Sequence, residues 1–170
     1  MARSEVESYV WAIEAAVEGV FACLEGLTEA ELAWRPPVLD DGAGPGAPPG
    51  EGGGGNTLYA LAVHVMGNAE QNFVEFYAGE PVSRVRRAEF LAGGETAAPL
   101  RERWTTVQAR LRAAVTETDP GELERERDHP NRGRISGREV LLTSIAHASE
   151  HRGEAQLIRD LVLAERASAG

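Results

Sequence analysis

Apolar residues recur along this chain at alternating steps of three and four, the interval at which side chains stack on one face of an α-helix. Ile13, Val17, Val20, Leu24 and Leu27 form the first such stripe and predict a helix starting near Ser4. "TEAELAW" follows as a short extra turn, with Thr28 and Glu31 spaced as a capping box; Pro36 and Pro37 end it. A second helix is predicted over about 57–78, capped by Asn56, with Leu58, Ala62, Val65, Ala69, Phe73 and Phe76 on its apolar side. A third, over about 96–118, carries Leu100, Trp104, Val107, Leu111 and Ala114. Ser136 and Glu139 repeat the capping-box spacing ahead of a last helix that runs to about residue 165.

Two connections differ from the helices in kind. Residues 40–55, "DDGAGPGAPPGEGGGG", oppose helix and strand alike through glycine entropy and missing proline donors, and predict a surface loop. No G-K-[ST] follows the glycines, so they do not read as a phosphate cradle. Residues 120–135, "PGELERERDHPNRGRI", are charged and aperiodic and predict a linker with at most a short helix. No run alternates as a strand does, and no internal repeat is present. Four amphipathic helices in 170 residues, each with a stripe to bury, predict an all-α four-helix bundle, up-down with longer connections. One domain over 1–170 is the expectation.

Charge and composition narrow the function. A net charge of −10 repels a phosphate backbone, so nucleic acid is not an expected partner. No apolar run is long enough for a bilayer, and the acidic N-terminus is not a secretory signal. The single Cys23 excludes an internal disulfide and a cysteine-rich metal site, and fits a reducing compartment. A soluble cytoplasmic protein is expected, with no membrane partner.

Candidate chemistry rests on the four histidines. On the last helix Val140, Ser144, His147, His151, Ile158 and Val162 share a narrow stripe, so both imidazoles face the core with the aliphatic residues. Unpaired polar nitrogens there are costly, and a metal ion shared by neighbours four apart would satisfy them. His64 is the natural third ligand, although its phase lies beside the apolar stripe, near Leu61, Asn68 and Gln71. Phase alone fits a half-exposed bystander as well as a ligand. His129, before a proline and among charges, reads first as a surface residue; reach into a cleft at the bundle's end is the alternative, which nothing in its spacing requires.

Other constellations fail. "HASEH" lacks the glutamate of H-E-x-x-H peptidases. Only "ERDH" offers the Glu-x-x-His that di-iron bundles need twice. No nucleophile elbow supports a serine triad.

The order "LEGLTEAELAWRPP", "LYALAVHVMGNAEQNF" and "SGREVLLTSIAHASEHRGEAQLIRDL" resembles the DinB-like (DinB/YfiT) superfamily of metal-binding four-helix bundles, over about residues 5–165. Its most specific part is one histidine on the second helix combined with "HxxxHRGE" on the last. The resemblance implies that His64, His147 and His151 form a three-histidine site for a divalent metal, zinc or nickel foremost. It implies enzymes that use low-molecular-weight thiols for S-transfer or isomerisation on a small-molecule substrate, and homodimers. Family members often carry glutamine where Glu154 stands, and the Gly/Pro loop is unusual for them.

Three nitrogen ligands leave a coordination position free, the open arrangement of catalytic sites. Imidazoles suit zinc, nickel, copper or iron. Glu150 and Glu154 flank the histidines, where one could orient a ligand's second nitrogen or accept a proton; solvated carboxylates are the plainer reading. Arg132 and Arg152 could attract an anionic substrate or thiol, and surface ion pairs explain them equally well. Trp34, Tyr59, Phe73 and Trp104 read as core or pocket wall. Three functions follow: a metal-dependent enzyme, thiol transfer ahead of hydrolysis; a non-catalytic metal-binding or regulatory bundle; and a structural bundle with hydrogen-bonded histidines.

Overall fold

The structure, a computed structural model, describes residues 2–36, 55–117 and 119–169. The Gly/Pro-rich loop expected at 40–55 falls outside these residues except for Gly55.

Helix α1, Glu5–Ala22, begins where expected, because Ser4 and Glu7 close a reciprocal capping box. Its stripe of Ile13, Val17 and Val20 is fully buried, and the chain then turns through Gly26, whose φ of 71° favours glycine. The short α2, Glu29–Leu32, carries the second predicted capping box, Thr28 with Glu31.

Helix α3, Leu58–Glu70, departs from the expectation in two ways. Its cap is Thr57, whose hydroxyl accepts from the Ala60 amide at 3.0 Å; the neighbouring Asn56 is drawn instead to Glu154. And it has no polar side. Every residue from Leu58 to Gly67 is buried, because α3 packs against α1, α5 (Ala98–Glu117) and α6 (Gly137–Ala169) and is covered by the short α4, Arg86–Glu89. The helix then widens into a π-helical segment, Gln71–Tyr77, a local irregularity that recurs at functional sites.

Helix α5, Ala98–Glu117, buries its predicted stripe of Leu100, Trp104, Val107, Leu111 and Ala114. The leucines and the valine of this stripe contribute about 1.5–3 kcal/mol each when fully buried. Salt bridges seal the seams: Arg101 to Glu18, Arg112 to Glu14 and Arg138 to Glu5.

The 120–135 stretch is not a linker. After a 3-10 turn, Pro120–Leu123, it forms an antiparallel hairpin of β1, Glu126–His129, and β2, Gly133–Ser136, with His129 opposite Gly133. The strands escape notice in the sequence because the hairpin is mostly exposed and needs no apolar alternation. Its turn signal was present: Pro130 and Asn131, then Gly133 at a φ of 69°. Helix α6, Gly137–Ala169, starts behind the predicted Ser136–Glu139 box and runs the full length of the bundle.

The long helices α1, α3, α5 and α6 thus make the predicted helical bundle, with the hairpin at one end. No helix among the described residues is long and apolar enough to cross a membrane.

Candidate metal centre and its cavity

On α6 the inward stripe is Val140, Ser144, Ala155, Ile158 and Val162, all buried, and His147 and His151 lie along it half-buried. His64 arrives from α3 and is only 2% exposed, so it is not the half-exposed residue that its helical phase allowed. Phe90, just after α4, covers its ring at 4.7 Å between centroids. His64 Nε2 stands 3.0 Å from His147 Nε2. One nitrogen from each of His64, His147 and His151 lies within 4.8 Å of the others, a group that could hold a metal ion.

The outer ring nitrogens of His64 and His151 each have a partner. His64 Nδ1 meets Glu89 Oε2 at 2.8 Å, and His151 Nδ1 meets Glu154 Oε2 at 2.7 Å. A carboxylate can only accept, so each Nδ1 carries the proton and each Nε2 keeps its lone pair. This carboxylate–histidine pairing is the arrangement that orients metal ligands and raises their basicity. The carboxylates are themselves pinned. Arg84 grips Glu89 with two bonds, at 2.6 and 2.8 Å, and reaches Gln71 at 2.9 Å. Asn56 donates to the other oxygen of Glu154 at 2.8 Å.

The charge states agree with the geometry. Burial alone would raise the Glu89 carboxyl, but Arg84 and His64 hold it below the usual carboxylate range. Glu154 is likewise held low against burial by His151 and Asn56. Burial lowers His64 despite Glu89, and it pushes His147 down to about 3, reinforced by His151 and His64. The imidazoles of His64 and His147 are neutral and the two carboxylates charged at neutral pH, the protonation state a metal ligand requires. The donor set therefore fits a divalent cation. For nitrogen ligands about 2.0–2.1 Å from zinc, a tetrahedron has N···N edges of about 3.3 Å. The 3.0 Å between His64 and His147 is close to such an edge, with the nitrogen from His151 within reach.

Gly67 makes the Glu89 contact possible. A Cβ there would sit inside contact distance of Glu89 Oε1, so the bare α3 backbone lets the carboxylate reach His64.

A cavity of about 480 Å³ opens beside His64 and His147, between α3, the π-helical segment, α6 and the hairpin. His129 lines it. Far from lying on the surface, this histidine is 7% exposed, stacked edge-on against Phe76 at 4.9 Å. Its neighbouring proline and charges are exposed, but the hairpin folds the last residue of β1 inward. Arg132 also lines the cavity. Arg152 does not: it is exposed, its guanidinium lying over Gly19 of α1. Glu154 supports His151, whereas Glu150 is exposed on α6 and absent from the cavity wall. Tyr59, Phe73 and Trp104 are buried in the core, and Trp34 packs against it while donating to Glu165 at 2.8 Å. Glu89 and Arg84 went unnoticed in the sequence, since their aperiodic segment carries no local signal.

The comparisons with known proteins agree with this architecture. A solved structure described as a conserved protein of Enterococcus faecalis superposes with a TM-score of 0.71 at 14% identity, over 96% of this chain and 99% of that one, a likeness of fold alone. No curated protein matches the sequence. The family model of the DinB superfamily matches residues 12–155, and the chain belongs to that superfamily.

Proposed function

We propose that this protein is a divalent-metal-dependent enzyme, with His64, His147 and His151 as the metal ligands and zinc or nickel as the metal. We further propose that it transfers or isomerises a small substrate with the help of a low-molecular-weight thiol. The observation that carries this reading is the pair of carboxylates on the Nδ1 atoms of His64 and His151, which leaves Nε2 lone pairs free beside His147. A purely structural bundle has no need of charged partners on the outer nitrogens of its histidines.

A cation held by three imidazoles supplies Lewis acidity and lowers the pKa of a bound water or thiol toward neutrality. The chain's own residues do the rest. Glu89, fixed by Arg84, and Glu154, fixed by Asn56, hold the rings of His64 and His151 in one orientation and one tautomer. Phe90 shields His64 from water on its far face. The cavity leaves the side next to His147 accessible to a small molecule.

The working unit is a homodimer formed through α6, which leaves Leu142, Leu157 and Leu161 exposed at 46%, 60% and 40%. Untagged protein purified and analysed for metal tests the site, against a His147→Ala/His151→Ala variant. The parent should carry about one ion per chain and the variant none. A screen of thiols with a model electrophile then tests the reaction. A rate above the no-protein control that disappears with the metal supports transfer. Metal binding with no rate for any thiol assigns a binding bundle instead.

A further inference from the structure

Three arginines, Arg84, Arg86 and Arg132, line the cavity and no carboxylate does, in a chain whose net charge is −10. Such a local reversal of sign selects an anion. Arg84 is already committed to Glu89 and Gln71. Arg132 differs: its guanidinium has no hydrogen-bond or ion-pair partner among the described residues. The hairpin turn keeps it beside His129, through the Arg132 amide donating to the His129 carbonyl at 3.2 Å.

His129 is pre-set as a donor. The Asn131 amide donates to its Nδ1 at 3.2 Å, which places the ring proton on Nε2. Phe76 fixes the ring plane. Across the cavity Asn72, on the π-helical segment, is 3% exposed. Its amide nitrogen donates to the Asn68 carbonyl at 2.9 Å, so the side-chain oxygen is the free end, and that oxygen is buried without a partner. An unsatisfied buried acceptor is uncommon and calls for a donor.

We propose that the wall formed by the hairpin and the π-helical segment recognises a small organic acid bearing a hydroxyl or amino group next to its carboxylate. His129 Nε2–H and the Arg132 guanidinium take the carboxylate, and the Asn72 side-chain oxygen takes the neighbouring O–H or N–H. This deepens the proposed function and rests on it only for the reactive end of the substrate. The recognition contacts belong to the protein alone and persist without metal.

The test uses the full chain stripped of metal, titrated with lactate and with propionate at constant ionic strength and followed by amide and histidine NMR signals. Lactate should bind saturably in the millimolar range expected of so small a ligand, shifting Asn131, Arg132 and the His129 ring. Propionate, which has no donor for Asn72, should bind several-fold more weakly. Arg132→Ala and His129→Leu should each weaken lactate by about tenfold or more, the usual effect of losing a charge-assisted bond. His129→Gln, which keeps an N–H in place of Nε2–H, should retain most of the affinity, and this separates a lost donor from a disturbed hairpin. Zinc affinity should stay unchanged in all three variants. Absence of saturable lactate binding, or lactate affinity indifferent to both Arg132→Ala and His129→Leu, overturns the proposal. Equal affinity for propionate removes Asn72 from the site. Lactate binding in a protein that takes up no zinc would sink the metal reading and leave this one standing.

Discussion

Replacing Glu89 by glutamine exchanges one oxygen for one nitrogen and removes one buried charge. The carboxylate accepts from His64 Nδ1 at 2.8 Å and from Arg84 at 2.6 and 2.8 Å, so every bond it makes is one in which it accepts. An amide has one accepting oxygen. Whichever way it turns, its NH₂ faces a donor, either Arg84 or the Nδ1–H of His64. Two consequences follow with different magnitudes. Loss of the carboxylate on a ligating histidine weakens metal binding by about 10–100-fold, or about 1.4–2.7 kcal/mol. Arg84, 9% exposed in its side chain, is left without its counter-charge, and breaking such a buried pair costs about 3–5 kcal/mol of stability. Adding Arg84→Met should recover much of the stability but not the metal affinity, because the carboxylate, and not Arg84, accepts the Nδ1 proton of His64. Competition with a chromophoric zinc chelator gives the affinity, and urea unfolding of the metal-free protein gives the stability. Zinc affinity within threefold of the parent in Glu89→Gln would refute the role assigned to the carboxylate.

Further outcomes follow from the same geometry. Gly67→Ala should weaken zinc binding while leaving the Arg84–Glu89 charges intact, because the new methyl displaces Glu89 Oε1 from α3; the chelator competition reads this directly. Glu154→Gln should act on His151 as Glu89→Gln acts on His64, with a smaller stability loss, since Asn56 is neutral. Metal-free protein should lose stability as pH falls from about 6.5 toward 3. In that window the unfolded chain protonates residue 147 and the folded one, whose value is pushed down to about 3, does not; denaturant midpoints across pH should lose this slope in His147→Gln. Leu157→Arg with Leu161→Arg should give a monomer by sedimentation where the parent gives the proposed dimer, without changing metal content, because both residues are exposed on α6 away from the cavity; a monomeric parent would contradict the proposed dimer.

How far the sequence foretold this structure depended on whether a helix keeps a wet face. Helices α1, α5 and α6 do, and their stripes predicted orientation; extent followed for α5 and α6, whereas Leu24 and Leu27 of the first stripe fall in the turn beyond the end of α1. Helix α3 is buried all round, so its three-four pattern picked out an apolar side where none exists. For that reason the phase of His64 was ambiguous: its flank is covered by Phe90, Glu89 and Arg84, contributed from 20–26 residues further along the chain. Two cap-forming residues stood side by side at its start, and only the distant Glu154 decides that Asn56 leaves the cap to Thr57. The inward aim of His147 and His151 was legible from Val140, Ile158 and Val162. Glu154, three residues from His151, was within the reach of local reasoning, whereas the hairpin was not. Its strands bury one histidine and little else, and no periodic signal accompanies a sheet of that kind.

Zinc titration of metal-stripped, untagged protein by calorimetry tests the central claim most directly. A single saturable event at about one ion per chain, abolished by His64→Ala and by His147→Ala with His151→Ala, is the predicted result. A folded parent that takes up no zinc or nickel, or one whose uptake survives the loss of all three histidines, would contradict it.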